Sequence, residues 1–217
     1  MDPHTIIQKI RDVGIIPVVR AGSSDEACRA VDAICEGGVP IVEITMTVPN
    51  AVVAIREVVR CHGSAVLTGA GTVLNAAQAS ACLDAGAEFL VSPGLSVAVL
   101  EAARLRNRLA IPGVLTPSEL MSAAGEGVNL VKVFPCGGVG GPKYIKSLRG
   151  PFPQMDLIPT GGVNLSNAEE YIDAGAFALG IGSDLVDVSA IRAGNAKKII
   201  HDTRALVEAV RAARTRR

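Results

Sequence analysis

Eight short runs of strand-forming residues recur along this chain, and segments of helical spacing separate them. The runs are Ile15–Arg20, Ile41–Thr45, Ala65–Thr72, Phe89–Pro93, Leu109–Val114, Leu130–Pro135, Leu157–Gly161 and Ala178–Gly182. Between them, Asp25–Gly37, Ala51–Cys61, Asn75–Gly86 and Pro117–Gly127 carry apolar residues at the three-to-four spacing of an amphipathic helix. Ala190–Arg217 supplies the last helix. Ser24, Asn75, Ser96, Thr116 and Ser166 stand where helices begin, as residues whose side chains cap free amides. Gly37, Gly86, Gly127 and Gly175 stand where helices end, where a left-handed residue is expected. Ala85-Gly86-Ala87 and Ala174-Gly175-Ala176 each lead from a helix into a strand.

Strands that alternate with helices run parallel, because each crossover returns the chain to the same end of the sheet. Eight such units in 217 residues predict one α/β domain spanning 1–217, a closed (β/α)8 TIM barrel. A doubly wound open sheet is the alternative. It would normally show a glycine-rich dinucleotide loop after its first strand, and Arg20-Ala21-Gly22-Ser23-Ser24 is no such loop. Aromatics are 3% of the chain with no Trp, so its core must be aliphatic.

A formal net charge of +0 leaves no electrostatic footprint for nucleic acid or a membrane surface. The basic end, Arg211, Arg214, Arg216 and Arg217, reads as a solvated helix terminus. Five scattered cysteines form no CxxC pair, so neither a disulfide framework nor a zinc site is indicated. Free thiols fit a reducing compartment. The N-terminus has no signal-peptide pattern, and no apolar run approaches the roughly 20 residues that span a bilayer. A cytoplasmic location is expected.

Two charged residues break otherwise apolar strands. Lys132 lies in Leu130-Val131-Lys132-Val133-Phe134-Pro135, and Glu43 in Ile41-Val42-Glu43-Ile44-Thr45. Strand side chains alternate between faces, so Lys132 groups with Leu130 and Phe134, and Glu43 with Ile41 and Thr45. The purely aliphatic faces should pack on helices, which points both charged groups into the barrel. Their strands, the second and sixth, are of the same even class and contribute to the same interior layers. A buried lone ammonium is costly, and the neutral amine is a nucleophile toward carbonyl carbon. The pair therefore suggests Schiff-base chemistry with a carboxylate as acid/base. The bland alternatives are that Lys132 guards an edge strand or joins a buried ion pair, and that Glu43 merely neutralises it. A closed barrel has no edge to guard.

The seventh and eighth runs end in Thr160-Gly161-Gly162-Val163-Asn164 and Gly180-Ile181-Gly182-Ser183. Loops after these two strands are the usual phosphate site of this fold. Glycines let backbone amides approach an anion, and Ser183 adds a hydroxyl. Ordinary tight turns are the other reading.

Glu43-Ile44-Thr45, Gly69-Ala70-Gly71-Thr72-Val73-Leu74, Val91-Ser92-Pro93-Gly94, Pro112-Gly113, Lys132-Val133-Phe134-Pro135 and Pro159-Thr160-Gly161-Gly162-Val163 together resemble the 2-keto-3-deoxy-6-phosphogluconate (KDPG) and 4-hydroxy-2-oxoglutarate (KHG) aldolases. The resemblance runs in order over nearly the whole chain. It implies a class I aldolase that cleaves KDPG to pyruvate and glyceraldehyde 3-phosphate, with KHG, cleaved to pyruvate and glyoxylate, as a second substrate. It implies Lys132 as the Schiff-base lysine, Glu43 as general acid/base and Thr72 as a ligand of the pyruvyl carboxylate. Gly161, Gly162 and Ser183 match the phosphate contacts with Arg20 as helper, and Pro93, Phe134, Thr160 and Gly182 complete the implied substrate shell. No metal or cofactor is implied beyond the covalent imine, and the assembly implied is a homotrimer. Some members carry an arginine just after the Glu motif where this chain has Thr47, which bears on acceptor preference.

His4, His62 and His201 lie away from the strand ends and form no His–carboxylate cluster, which disfavours a metal-dependent aldolase. Three other readings stand beside the main one. They are a 2-keto-3-deoxy-6-phosphogalactonate aldolase, a sugar-phosphate isomerase or epimerase on the same barrel, and a barrel serving as an assembly scaffold.

Overall fold

The computed structural model describes residues 1–216, so Arg217 lies outside the described residues. In order the elements are α1 (Pro3–Val13), β1 (Ile15–Val19), α2 (Ser24–Glu36), β2 (Ile41–Thr45), α3 (Ala51–His62), β3 (Leu67–Gly71), α4 (Ala76–Asp84), β4 (Phe89–Val91) and α5 (Val97–Arg104). There follow β5 (Leu109–Ile111), β6 (Gly113–Val114), α6 (Pro117–Gly125), β7 (Leu130–Val133), α7 (Pro142–Arg149), β8 (Asp156–Pro159), α8 (Ala168–Asp173), β9 (Leu179–Ile181), α9 (Val188–Arg192) and α10 (Ala196–Thr215). Every expected strand run contains a strand, and every pairing is parallel.

The expected single closed sheet is instead two parallel sheets, ordered β5-β4-β3-β2-β1-β9 and β6-β7-β8. One seam falls at Pro112, which splits the expected run Leu109–Val114. Proline offers no amide to a ladder, and the chain changes partner there: β5 pairs with β4, whereas β6 pairs with β7. The other seam is held by one parallel bridge, Thr160 to Gly180.

The interior is aliphatic as composition requires, with Phe89 and Tyr171 the largest fully buried side chains. Small residues on one strand admit large ones from the next. A methyl on Gly69 would strike the Phe89 ring, and one on Gly180 would strike the Thr160 hydroxyl. This alternation of small and large lets side chains of neighbouring strands interdigitate.

Several boundaries differ from expectation. Ser23, not Ser24, caps α2, its hydroxyl accepting from the Glu26 amide at 3.2 Å. Gly37 stays right-handed at φ −70°, and the left-handed turn falls on Gly38 at φ 99°. Ser166 donates its amide and hydroxyl to Asn164 Oδ1 instead of opening a helix, so α8 starts at Ala168. The last stretch is two helices, broken at Gly194 with φ 72°. At the basic end, Arg214 donates to the Phe177 carbonyl at 2.8 Å and Arg216 to Glu169 at 2.8 Å. Those two residues tie α10 to its neighbours and are more than a solvated terminus. The N-terminal helix α1 was not anticipated; Asp2 caps it and Pro3 occupies its first turn, where a missing amide costs nothing.

Candidate active site

Register brings the two isolated charges together. Val18 pairs with Glu43 and Glu43 with Gly69, while Lys132 sits between Gly113 and Ile158. Lys132 Nζ lies 3.9 Å from Glu43 Oε1, with side-chain exposures of only 5% and 4%. That separation exceeds a hydrogen bond, and Glu43 Oε1 has no hydrogen-bond partner among the described residues. An open acceptor on a buried carboxylate demands an explanation, and a catalytic role is a common one. The Phe134 ring centroid is 5.2 Å from Lys132 Nζ, so a π-face is turned toward whatever positive charge that nitrogen carries.

Gly71 makes room for the carboxylate. A methyl there would lie 2.5 Å from Glu43 Cδ and 2.7 Å from Cγ, and closer still to Oε1. The motif containing Gly71 was read from sequence, but its role as the floor under Glu43 was not. The signal was present: Gly69 and Gly71 occupy alternate positions of one strand face. Thr72 follows with φ 57°, an uncommon conformation for a β-branched residue that marks stored strain at functional positions. Its side chain makes no hydrogen bond among the described residues and is half-buried at the end of β3. Pro93 is also half-buried, and its carbonyl packs where a side chain on Gly113 would otherwise stand.

The glycine turns form a second cluster at the ends of β8 and β9. Gly161 and Gly162 are consecutive left-handed residues, φ 85° and 81°, which glycine alone adopts without penalty. The Gly161 carbonyl accepts from the Gly137 amide at 2.8 Å, and the Gly162 carbonyl accepts from Asn167 Nδ2 at 2.8 Å. The loop following the lysine strand is thus bonded to the glycine turn. Nearby, a cavity of about 210 Å3 is lined by Arg20, Ser183 and Asp187. The Arg20 guanidinium lies over Gly182, with Nη1 2.8 Å from where a methyl would sit. Asp187 is occupied with its own helix. The Ser189 hydroxyl and the Ala190 amide hold its carboxyl below the usual range.

Thr160 stands apart from the other expected contacts. It is buried, its hydroxyl donates to the Ile158 carbonyl at 3.4 Å, and it packs over Gly180 at the seam. Thr47 is exposed, and its hydroxyl is 2.6 Å from that of Thr45, which bonds the Val19 carbonyl at 3.1 Å. Among the described residues no group of three His, Cys, Asp or Glu could hold a metal, and no helix is long and apolar enough to cross a membrane.

The family model for KDPG and KHG aldolase matches residues 6–201. The 2-dehydro-3-deoxy-phosphogluconate aldolase of Haemophilus influenzae is 32% identical over 95% of this chain and 97% of that one. The KHG/KDPG aldolase of Escherichia coli K12 is 36% identical over 89% and 91%. Among solved structures, the KDPG aldolase of Legionella pneumophila, with pyruvate captured at low pH as a covalent carbinolamine intermediate, superposes with a TM-score of 0.86. It shares 33% identity, covering 92% of this chain and 97% of that one.

Proposed function

This chain belongs to the KDPG and KHG aldolase family, and from that premise we propose how its own residues perform the reaction. The protein is a carbon–carbon lyase, a class I aldolase that cleaves KDPG to pyruvate and glyceraldehyde 3-phosphate, with KHG as a further substrate. Chemistry proceeds through an imine with a lysine and needs no metal.

Lys132 is the amine. It attacks the C2 ketone to give a carbinolamine, which loses water to become a cationic iminium. The iminium withdraws electrons as the C3–C4 bond breaks, leaving an enamine that is protonated at C3 and hydrolysed to pyruvate. Glu43 moves the protons: into the departing hydroxyl during dehydration, out of the C4 hydroxyl during cleavage, and back to C3. The single observation that carries this assignment is the 3.9 Å gap between two buried groups, one of them an acceptor with no bond of its own. The Phe134 ring lies near enough to favour the cationic iminium. Thr72 receives the pyruvyl carboxylate, with Pro93 beside it.

The phosphate is held at the other cluster by backbone amides of Gly161 and Gly162, by Ser183 and by Arg20 across Gly182. The bond between Gly137 and Gly161 links that cradle to the loop that follows Lys132. Thr160 acts at the seam beneath it. Thr47 contributes a hydroxyl already paired with Thr45, so this acceptor end carries no charge of its own.

The two sheets together form a closed eight-stranded barrel in one domain, with β5 and β6 as a single strand interrupted at Pro112. A homotrimer is the assembly we propose. Leu74 and Met121, 55% and 65% exposed, are among the apolar side chains open to such contacts. Five free cysteines fit a cytoplasmic setting.

Borohydride reduction in the presence of pyruvate tests the assignment. The reduced pyruvyl group is expected on the peptide containing Lys132. Labelling at Lys143 or Lys146, or none, refutes it. Pyruvate release from KDPG, its galactonate epimer and KHG then ranks the substrates.

A further inference from the structure

The loop that follows the lysine strand, from Cys136 to Gly141, is mostly glycine, and Gly137 to Gly140 are exposed. Residues without side chains cannot anchor a loop by packing, and they lose the most conformational freedom on being ordered. Hydrogen bonds at its two ends hold it instead. The Cys136 amide donates to the Thr160 carbonyl at 2.9 Å, and the Gly137 amide to the Gly161 carbonyl at 2.8 Å. The Cys136 carbonyl accepts from the Val139 and Gly141 amides at 3.2 and 3.1 Å, which closes the loop on itself.

A buried side chain from a later helix stands at that closure. Tyr171 of α8 is 1% exposed, and its hydroxyl lies 3.2 Å from where a methyl on Gly141 would sit. The hydroxyl is hydrogen-bonded to the Cys136 thiol, which itself donates to the Gly141 carbonyl at 3.7 Å. Burial pushes the phenol well above its ordinary value, so it keeps its proton and acts as the donor. The Tyr171 hydroxyl, the Cys136 thiol and the Gly141 carbonyl thus form one chain across the mouth of the loop.

The same helix grips the glycine turn. Asn167 donates from Nδ2 to the Gly162 carbonyl at 2.8 Å, and the Tyr171 amide donates to the Asn167 carbonyl at 3.1 Å. Residues four apart lie on one side of a helix. A single turn of chain therefore holds the glycine turn through Asn167 and the lysine-strand loop through Tyr171. Those two segments are in close contact, because a methyl on Gly162 would meet Gly137 Cα at 3.0 Å. A loop that drifts must disturb the turn. The core needs only the ring of Tyr171, and phenylalanine would fill that space equally well. The hydroxyl serves the loop.

We propose that Tyr171 is a positioning residue for the phosphate end of the substrate. Its hydroxyl fixes the Cys136–Gly141 loop against the Gly161–Gly162 turn, which keeps the amides of that turn aimed at the phosphate and leaves the imine centre alone. The proposal rests on the reading that this turn holds the phosphate.

Steady-state cleavage of KDPG and of unphosphorylated KHG by Tyr171→Phe tests it. We expect kcat/KM for KDPG to fall about fivefold, the effect of one lost hydrogen bond, and that for KHG to stay within about twofold. Borohydride trapping of pyruvate should be unchanged. Cys136→Ala removes the same bond from its other side and should shift the substrate ratio likewise, whereas Cys136→Ser, which keeps a donor and an acceptor, should leave the ratio within about twofold of the parent. The Tyr171→Phe, Cys136→Ala double variant should shift the ratio no further than either change alone, because the two groups share one bond. Equal losses on both substrates, a ratio unmoved by Tyr171→Phe, or two shifts that multiply would overturn the proposal. Ser183→Ala shows which reading has failed. If it moves the ratio and Tyr171→Phe does not, the tether alone is wrong; if neither moves it, the phosphate lies elsewhere and the proposal falls with the cradle.

Discussion

Gly71→Ala isolates the position of Glu43 from its chemistry. Gly71 is absent from the positive-φ residues, so alanine is tolerated by the backbone and only the added methyl acts. That methyl would lie 2.5 Å from Glu43 Cδ, whereas carbon atoms pack at about 3.5–4.0 Å. The carboxylate must therefore withdraw by about 1 Å or more. Glu43 is 4% exposed and lies between β1 and β3, so the displacement is taken up inside the buried site itself. A misplacement of about 1 Å at a reacting centre typically costs about 100-fold, and loss of a general acid/base costs about 10²–10⁴-fold. We expect kcat for pyruvate release to fall at least about 100-fold, which is about 2.7 kcal/mol of barrier.

A coupled lactate dehydrogenase assay measures this directly, and thermal unfolding separates it from a folding defect. Overpacking of this kind costs about 1–3 kcal/mol of stability and should leave a folded protein. The decisive comparison is the double variant. If Gly71 acts through Glu43, adding Gly71→Ala to Glu43→Gln should slow the enzyme little further, because neighbours that share one function are not additive. A Gly71→Ala enzyme within about threefold of the parent, or two losses that simply multiply, refutes the reasoning.

Four further outcomes follow from the same geometry. Lys132→Arg should abolish both turnover and borohydride trapping, because a guanidinium keeps the charge but is no amine nucleophile; trapping that survives would move the imine elsewhere. Gly162→Ala, whose methyl would meet Gly137 Cα at 3.0 Å in a left-handed residue, should impair cleavage of KDPG far more than that of unphosphorylated KHG; equal losses would indicate general misfolding. Burial pushes the thiols of Cys35, Cys82 and Cys136 up to about 11, so at about pH 8 roughly 1 in 1,000 is thiolate, and a thiol reagent should modify exposed Cys61 first. The amides of Thr116 and Leu115 hold the Glu119 carboxyl below its usual range, so its stabilisation is present at neutral pH and is lost as pH falls through the lowered folded value; Glu119→Gln should therefore cost more at about pH 7 than at about pH 3, as read by denaturant unfolding.

Much of the fold was legible because its signals are local. Strand runs, cap residues and helix-ending glycines each act within a few positions, and Asn75, Thr116 and the left-handed Gly86, Gly127 and Gly175 stand where they were expected. What escaped depends on partners distant in sequence. Pro112 divides a run that reads as one strand because β4 and β7 compete for its two halves. Arg214 and Arg216 look like a solvated tail until Phe177 and Glu169 are brought beside them. The helix α1 was missed because its buried apolar residues, Ile6 and Ile10, are few, and their burial depends on partners distant in sequence.

The site divides along the same line, and the division is informative about how such a centre is specified. Lys132 and Glu43 were visible because a charge in an apolar strand has no cheap alternative explanation, and strand parity alone aims both inward. What parity cannot supply is the gap. Two buried opposite charges free to approach would close to a hydrogen bond and quench each other. Here they stop at 3.9 Å. Gly71 leaves a hollow in which the Glu43 carboxylate settles, while Gly113 beside Lys132 lets Pro93 close in without pushing the lysine strand across. Small residues on neighbouring strands thus set the separation that a substrate atom must enter. The proposed reactive pair is written in two residues, but its spacing is written in the glycines of the strands between them, which is why Gly71→Ala should disable an enzyme that retains both proposed catalytic groups.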